Sequence, residues 1–398
     1  EAVEQSTKVK WVGCANELNA AYAADGYARV RGAAMLLTTY AVGELSALNG
    51  VMGAKAEHSI VYHVVGMPSH QNMKLHKIIH HSLGDGVYGN FVNISAQAAC
   101  VHAIIDPNNC VIEMERVIAE ARHNSQPAYI VIPSDYARSH VTLAATMNPV
   151  VLKSNETSLE GAVEAIASRL ASAKSTVVLP AFTLSRLQLH RETRRMIEAL
   201  GCPFATTTME KGLIDESHPQ FAGMYSGALS TGTAREVVES ADLVLDVGGV
   251  SLNDMSTSGF SAKLDPSHVV SIGLNEVRVG DKIFDSVRLA DMIEALCSLT
   301  PKMPRYSRGP ETHTAGLHAM PTSLTMAGQT HAGVNPRGGG ESHDKIMMDA
   351  LYPRYASFMR SGDSVVLETG SSTLGFSPVH LADGVQVHSQ MLWGSIGW

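Results

Sequence analysis

Short apolar runs alternate with amphipathic stretches along the first part of the chain. The apolar runs contain few polar positions, which is typical of strands buried on both faces. They are Lys10–Ala15, Ala33–Thr38, Ser59–Val65 and Pro127–Pro133. Between them, Glu17–Arg31 and Glu44–Lys55 keep apolar side chains on one face at helical spacing. This alternation predicts an α/β fold, a parallel sheet with helices on both faces.

The same alternation continues after Pro149 and predicts a second α/β layer. The predicted strands are Thr176–Pro180, Pro203–Thr208, Ala241–Val247 and Val269–Leu274, and the predicted helices are Ser158–Ala173, Arg191–Leu200, Thr233–Ser240 and Ala290–Leu299. A further helix, Asp344–Arg360, precedes two strand-like runs at Ser364–Leu367 and Val385–Ser389.

Residues 301–341 have weak periodicity and are rich in Gly, Pro, Ser, Thr and His, which is typical of a linker. We therefore divide the chain into a first domain at 1–148, a central domain at 149–300, this linker and a third domain at 342–398. Two strands are too few to close a parallel sheet of ordinary size, so we expect the third domain to be incomplete. The chain also begins close to a predicted strand, and we expect a preceding element to be missing.

The composition narrows the class of protein. Of the 398 residues, 45% are hydrophobic and 17% are charged, which is enough apolar content for substantial cores. The formal net charge of −8 argues against binding to nucleic-acid phosphates. The apolar runs, such as Thr176–Phe182, are far shorter than the about 20 residues of a membrane helix. The five cysteines form no CxxC pair and the first residues lack a signal peptide, so we predict a cytoplasmic protein without membrane contact.

A glycine-rich segment, Gly84–Gly89, has the GxGxxG spacing of a dinucleotide site. No buried strand precedes it, so we favour a simple turn. Gly84-Asp85-Gly86 with the later Asn108-Asn109 also resembles a magnesium-binding motif. Because Asn108-Asn109 follows Asp106-Pro107 and opens a predicted helix, we interpret it as a turn and reject this metal site.

Three histidines, His76, His80 and His81, precede the glycine-rich turn. His76 and His80 have the i, i+4 spacing of zinc ligands, but no carboxylate or cysteine stands at ligand spacing beside them. Histidine exchanges protons readily near neutral pH, and a mobile turn can carry such a pair to a substrate. We therefore favour proton transfer by His80 and His81 over metal binding.

Glu17 stands at the start of a predicted helix, directly after a predicted strand. A carboxylate there can simply interact with the helix dipole, and this explanation covers most such glutamates. However, the flanking residues are mostly small or apolar, and the carboxyl end of a parallel strand opens into the usual ligand crevice. Both interpretations remain open on the residues alone.

Several ordered motifs resemble those of the thiamine-diphosphate-dependent 2-oxo acid decarboxylases. The motifs lie at Trp11–Arg29, Thr38–Gly50, Glu57–His58 with His63–Gly66, His80–Gly86, Lys211–Pro219, Glu368–Ser372 and Leu392–Gly397. They cover essentially the whole chain in the order of the family. Within the family, the chain is similar to the indolepyruvate and pyruvate decarboxylases.

The resemblance implies three α/β domains: a pyrimidine-binding domain, a central domain and a diphosphate-binding domain. It implies thiamine diphosphate and Mg²⁺ as cofactors, a small 2-oxo acid as substrate, and a homodimer or homotetramer that shares the cofactor between subunits. The implied reaction is non-oxidative decarboxylation of a pyruvate-, phenylpyruvate- or indolepyruvate-type acid to an aldehyde and CO₂ through a thiamine diphosphate ylide.

The resemblance also implies roles for individual residues. Glu17 would hydrogen-bond the aminopyrimidine ring nitrogen and so favour the tautomer that deprotonates the thiazolium carbon, and His80 and His81 would relay protons. The implied cofactor-binding residues are Glu17, Thr39, Thr369, Ser371, Gly394, Ser395 and Ile396. Among them, Gly394 would accept a hydrogen bond through its carbonyl and Ile396 would wedge between the two rings. Gln390 would lie near the substrate entrance.

The chain departs from the family pattern at two places. Ala41 stands where the family usually has glycine, and its β-carbon narrows the space there. The family's metal-binding segment would follow Trp398, so we expect no metal ligand within this chain and weak binding of the cofactor by the chain as given. Two alternatives follow: an inactive fragment that serves as an assembly or regulatory subunit, or a thiamine-dependent carboligase. The pair His80-His81 favours a decarboxylase over a carboligase.

Overall fold

The structure is a computed structural model that describes residues 2–142, 152–299, 306 and 346–398. The chain divides into two compact units, Glu1–Leu152 with Trp393–Trp398, and Lys153–Leu392. Each unit contains a parallel sheet flanked by helices, which confirms the predicted α/β class. In the described part of the chain, no helix combines the length and the apolar character that a membrane crossing requires.

The first unit contains a four-stranded parallel sheet with the strand order β1-β2-β4-β3. Its elements are α1 (Ala2–Gln5), α2 (Glu17–Arg31), β1 (Ala34–Thr39), α3 (Val42–Ala56), β2 (Val61–Met67), α4 (His70–Lys74), α5 (Gly89–Ala96), β3 (Val101–Ile104), α6 (Cys110–Asn124) and β4 (Ala128–Pro133). The register places Thr39, the last residue of β1, opposite Gly66 on β2. The carboxyl end of β1 therefore leads directly into the start of α3.

Helix α2 has clear start and stop signals in the sequence. The Asn16 side chain caps the first turn by accepting from the Asn19 amide, and Gly32 ends the helix in the left-handed region at φ 88°. The small buried residue Ala21 packs against α3 at Gly50. A β-carbon built on Gly50 would lie 2.6 Å from the Ala21 Cβ, so the two helices are in very close contact.

The predicted strand at Lys10–Ala15 is wrong. These residues are irregular and exposed, and they pair with no described strand. Trp11 is 50% exposed and Val12 is 68% exposed, so the apolar side chains lack the burial that stabilises a strand. The short strand β3 was not predicted, because its four residues alternate between buried and exposed positions and give only a weak signal.

The second unit contains a seven-stranded sheet with the order β11-β10-β9-β8-β5-β6-β7 and a two-stranded parallel sheet of β12 and β13. Its strands are β5 (Thr176–Pro180), β6 (Phe204–Thr206), β7 (Phe221–Met224), β8 (Leu243–Val247), β9 (Val269–Ile272), β10 (Glu276–Val279), β11 (Lys282–Asp285), β12 (Ser364–Leu367) and β13 (Gln386–Ser389). Its helices are α7 (Glu156–Ser172), α8 (Thr183–Arg186), α9 (His190–Leu200), α10 (Ala234–Glu239), α11 (Leu289–Leu296), α12 (Met348–Ala356) and α13 (Ser371–Phe376).

The sheet of the second unit is parallel from β7 to β9, but β10 pairs antiparallel with both β9 and β11. Strands β7, β10 and β11 were not predicted from the sequence. The predicted linker 301–341 lies outside the described residues, apart from Tyr306, whose amide donates to the Gly201 carbonyl at 2.9 Å. The domain boundaries taken from the sequence stay predictions.

Within the second unit, a buried ion pair lies in the segment between β6 and β7, and one of its members also contacts the segment between α13 and β13. Lys211 and Glu216 are almost fully buried and lie 2.5 Å apart. The other oxygen of Glu216 accepts the Leu381 amide at 3.0 Å. Gly212, at φ 80°, leaves room for the Val385 carbonyl beside it. The motif Lys211–Pro219 therefore has a structural role in this unit.

Candidate functional site

Glu17 lies beside the turn that joins β1 to α3. Its Oε1 atom is 3.5 Å from the position that a β-carbon on Gly43 would occupy, and Thr39 Cγ2 is 2.9 Å from the same position. Glu17 is partly buried, and its carboxylate has no hydrogen bond or ion pair to another described residue. The side chains of Glu17 and Thr39 therefore both lie close to Gly43, where an added β-carbon would be too near Thr39.

The turn itself has unusual backbone geometry. Ala41 is buried and has φ 48° and ψ −93°, a region that L-residues other than glycine rarely adopt. Its amide donates to Glu44 Oε1 at 2.7 Å. The departure noted in the sequence, alanine in place of glycine, thus falls at a position with positive φ.

Beneath the turn, buried polar side chains link three elements of the first unit. Ser95 on α5 and Tyr129 on β4 both donate to Glu44 Oε2 at 2.7 Å. Burial, followed by the charge of Glu44, raises the pKa of Tyr129, so its hydroxyl stays protonated as a donor. Glu44 was not among the site residues predicted from the sequence. Glu44 stands three residues after Ala41 and before an apolar stretch. This is the spacing of a capping box, and it is the feature of the sequence that could have identified Glu44.

A second buried pair connects β1 and β2. Thr38 Oγ1 lies 2.9 Å from Nε2 of His63, and both residues are buried. Burial lowers the pKa of His63 to about 4, so the imidazole is neutral at neutral pH. His63 therefore acts as a neutral hydrogen-bonding partner of the strand that carries Thr39.

The predicted proton-transfer pair lies on an exposed turn. His80 and His81 are both exposed, and their ring centroids are 4.6 Å apart. Tyr40, which follows Thr39, donates to the His80 carbonyl, and its ring centroid is 5.8 Å from that of His81. His81 has φ 59°, so this backbone is held in an uncommon conformation. Tyr40 thus links the histidine turn to the β1–α3 turn.

The glycine-rich segment is a turn, as predicted. Gly84 and Gly86 have φ 76° and 71°, and Asp85 accepts the Val87 amide at 2.9 Å. Nδ1 of His76 lies 3.2 Å from the Gly86 carbonyl oxygen, so His76 contacts this turn. Asp106 accepts the amides of Asn108 and Asn109, which confirms that the second motif is also a turn. The described residues contain no cluster of three or more His, Cys, Asp or Glu side chains arranged to hold a metal ion.

The segment Trp393–Trp398 packs on helices α2 and α3 within the first unit. The Trp393 indole donates to Asn49 Oδ1 at 2.9 Å, and the Asn49 amide donates to the Ser395 hydroxyl at 2.9 Å. Gly394 has φ 63°, so its backbone suits glycine. Ile396 is 82% exposed, which leaves its side chain free to contact a ligand.

A buried charged cluster lies below this segment. Arg29 contacts Asp25 at 2.9 Å and Glu57 at 2.8 Å, and all three side chains are buried. Burial alone lowers the pKa of Arg29, but the two carboxylates outweigh it and the pKa is raised. The Trp398 indole donates to Asp25 at 2.6 Å and lies 4.3 Å from the guanidinium. This cluster anchors the segment, and it was not predicted from the sequence.

The remaining predicted site residues belong to the second unit. The Thr369 hydroxyl donates to the Gln390 carbonyl at 2.7 Å, and Ser371 is the exposed first residue of α13. Gln390 is fully buried, whereas a residue at a substrate entrance is expected to be exposed. Its assignment, like those of Thr369 and Ser371, stays a prediction.

Two protein-family models match the chain. One is described as thiamine pyrophosphate enzyme, N-terminal TPP binding domain, and covers residues 1–87. The other is described as thiamine pyrophosphate enzyme, central domain, and covers residues 163–299. The first match contains Glu17, the β1–α3 turn and both histidines, and the second contains most of the seven-stranded sheet.

Characterised relatives match over almost the whole chain. An alpha-keto-acid decarboxylase of Mycobacterium leprae is 34% identical over 390 residues, which are 98% of this chain and 65% of that protein. A pyruvate decarboxylase of Kluyveromyces marxianus is 34% identical over 397 residues, 98% of this chain and 66% of that protein. A pyruvate decarboxylase of Kluyveromyces lactis is 34% identical over 394 residues, which are 98% of this chain and 67% of that protein. The chain thus spans about two thirds of the length of these relatives.

The parallel sheets and the two family matches define a thiamine pyrophosphate enzyme. Within this class, the chain belongs to the family of the 2-oxo acid decarboxylases, as its motifs indicated.

Proposed function

We propose that the protein catalyses the non-oxidative decarboxylation of a 2-oxo acid to an aldehyde and CO₂, with thiamine diphosphate and Mg²⁺ as cofactors. The observation that carries this proposal is the position of Glu17. Its carboxylate has no hydrogen bond or ion pair to another residue that the structure describes, and it lies beside Gly43 and Thr39 at the carboxyl end of a parallel strand. The names of the relatives support the same reaction type.

Bound thiamine diphosphate would supply a nucleophilic carbon for the 2-oxo carbonyl and a cationic ring that takes up the electron pair released with CO₂. Glu17 would hold a proton against the aminopyrimidine ring nitrogen and so favour the tautomer that removes the thiazolium proton. Thr39 would contact the cofactor from the carboxyl end of β1. Because Glu17 is partly buried, water competes less for this hydrogen bond.

The segment after Leu392 provides the other cofactor contacts in the proposal. Gly394 would accept a hydrogen bond from the exocyclic amine through its carbonyl, and the exposed Ile396 would fit between the two rings. Ser395, which is buried against Tyr22 and Asn49, would hold this segment in place. Thr369 and Ser371 stay in the proposal as cofactor-lining residues on the family resemblance alone.

His80 and His81 would move protons to and from the carbon that becomes the aldehyde. Their exposure and their place on a turn next to glycines allow them to approach a bound substrate. Tyr40 would couple this turn to the cofactor side of the site through its bond to the His80 carbonyl. The two histidines therefore act in a later step than Glu17.

The substrate type, the oligomeric state and the cellular compartment are also part of the proposal. We infer a substrate of the pyruvate, phenylpyruvate or indolepyruvate type, a homodimer or homotetramer, and a reducing cytoplasmic compartment. The last point is supported by the five free cysteines of the chain.

An assay of the full-length protein tests the proposed reaction. With thiamine diphosphate and Mg²⁺, we expect stoichiometric aldehyde and CO₂ from at least one of the three acids, without consumption of an oxidant. Formation of a coupled hydroxyketone in place of the aldehyde would indicate a carboligase. The absence of any turnover with all three acids would favour an assembly or regulatory role.

A further inference from the structure

Glu44 is a fully buried carboxylate to which the proposed chemistry gives no role. It lies in the first turn of α3 and accepts three hydrogen bonds at 2.7 Å each, from the Ala41 amide, the Ser95 hydroxyl and the Tyr129 hydroxyl. The donors come from the turn, from α5 and from β4. A carboxylate with three donors is well satisfied despite its burial, and it fixes these elements relative to one another.

The first of these donors belongs to a strained residue. Ala41 has φ 48° and carries a β-carbon, so this backbone conformation is higher in free energy for alanine than it would be for glycine. Strain of this kind persists only where surrounding contacts hold it. On both sides the backbone is fixed, because the Tyr40 amide donates to the Gly66 carbonyl and the Leu45 amide donates to the Ala41 carbonyl. Glu44 supplies the contact to the Ala41 amide itself.

The strained residue stands between two groups that line the space beside Glu17. Thr39 precedes it by two residues and Gly43 follows it by two. If Ala41 relaxed to negative φ, the peptide groups on both sides would rotate, and the separation of Thr39 from Gly43 would change. The close approach of Gly43 to Thr39 and to the Glu17 Oε1 atom therefore depends on the conformation of Ala41.

We propose that Glu44 is a positioning residue, which holds Ala41 at positive φ and thereby keeps Thr39 and Gly43 in place beside Glu17. The proposal rests on the proposed function, because it assigns Glu44 to the binding of thiamine diphosphate. Glu44 acts through the turn and not by touching the cofactor.

Hydrogen–deuterium exchange of the protein without cofactor tests the first half of the proposal. The variant Glu44→Met has similar length but no acceptor, so the amides from Ala41 to Gly43 should exchange faster, while those of β1 and β2 should not change. This measurement does not depend on cofactor binding. If the wild-type protein bound no thiamine diphosphate, the proposed function would fail while the exchange result would still decide the role of Glu44 in the turn.

Calorimetry with thiamine diphosphate and Mg²⁺ on the full-length protein tests the second half. We expect Glu44→Met to weaken binding by about 10- to 100-fold, the range that corresponds to typical backbone strain. Glu44→Gln keeps an acceptor for the Ala41 amide, so its loss should be smaller, about threefold to tenfold. If Glu44→Met does not fold, Glu44→Gln still tests the proposal.

The decisive comparison adds Ala41→Gly to each variant. Because glycine adopts positive φ at little cost, the turn no longer needs Glu44, and affinity should return to within about threefold of the wild type. A purely structural role predicts no such recovery. Val117→Ala, a cavity variant in the buried core between α6 and the sheet, is the matched control and should lower stability without changing affinity. Unchanged affinity in Glu44→Met, or a loss that Ala41→Gly does not reverse, would overturn the proposal.

Discussion

At the scale of single residues, the site depends on how closely Glu17, Thr39 and Gly43 approach one another. Within the described part of the chain the carboxylate of Glu17 has no hydrogen-bonding or charged partner, and it lies with Thr39 beside Gly43, which has no β-carbon. The sequence predicted Thr39 only through the family resemblance, whereas Glu17 was also a candidate from its flanking residues and its position after a predicted strand. The segment before Glu17, which was predicted to be a strand, is irregular. The strand end beside Glu17 is instead the carboxyl end of β1.

Adding one methyl group to Gly43 should damage the site without unfolding the protein. In Gly43→Ala the new β-carbon would lie 2.9 Å from Thr39 Cγ2 and 3.5 Å from Glu17 Oε1, so Thr39 must move. We expect thiamine diphosphate to bind about tenfold more weakly, as for a modest overpacking cost. Calorimetry measures the affinity. Gly89→Ala, which has nothing within 4 Å of the added carbon, is the control, and equal affinities for the two variants would contradict the account.

Replacing His80 or His81 should slow product formation more than it slows activation of the cofactor. Asparagine in either position keeps a polar side chain but cannot transfer a proton, so we expect aldehyde formation to fall about 100-fold. Exchange of the thiazolium proton, which depends on Glu17, should fall much less. His76→Asn, which alters a residue that contacts the same turn, is the control. A similar loss in that variant would mean that the histidines only support the turn.

At the scale of helices and strands, the alternation of apolar runs and amphipathic stretches predicted most elements of both units. The strand Thr176–Pro180 and the strand Ser364–Leu367 have the predicted bounds. The antiparallel strands β10 and β11 were missed, because short strands separated by the turn at Gly280 carry little periodic signal. Positive φ at Ala41 could not be predicted either, since Glu44, which accepts the Ala41 amide, is itself held by Ser95 and Tyr129 from distant parts of the sequence.

The contact between α2 and α3 leaves no room for a side chain at Gly50. In Gly50→Ala the new β-carbon would lie 2.6 Å from the Ala21 Cβ, so the helices must separate, at a cost of about 1–3 kcal/mol. Gly26→Ala on α2 meets nothing within 4 Å and should stabilise the protein by about 0.5–1 kcal/mol. Urea unfolding of both variants measures these changes. A gain in stability for Gly50→Ala would show that the two helices are not in such close contact.

Burial of His63 between β1 and β2 predicts a pH dependence of stability. The folded-state pKa of about 4 lies below the ordinary value of 6.5, so the unfolded chain binds more protons between these values. The neutral imidazole therefore contributes fully to the free energy of unfolding above about pH 6.5. This contribution, about 3 kcal/mol, is lost as the pH falls toward 4. Urea unfolding of wild type and His63→Gln at pH 7 and pH 5 measures it. The variant should lose part of the pH dependence, and the exposed-site control His102→Gln should retain it.

At the scale of the whole molecule, two α/β units with the sheets of the thiamine pyrophosphate enzymes place the chain among the 2-oxo acid decarboxylases. The motifs in the sequence were sufficient for the family and the fold class. The substrate, the assembly and the metal site lie beyond what the order of motifs specifies, because they depend on pocket shape and on subunit contacts. We therefore treat the role of Glu17 in activation of the cofactor as the central claim.

Exchange of the thiazolium C2 proton of bound thiamine diphosphate in deuterated water tests this claim most directly. The comparison uses the full-length wild type, Glu17→Gln and the control Glu156→Gln, which changes a glutamate at the same place after an asparagine cap, at the start of α7. We predict that Glu17→Gln slows exchange by at least about 100-fold with the fold intact, and that Glu156→Gln exchanges at the wild-type rate. Wild-type exchange in Glu17→Gln, with cofactor bound, would contradict the account.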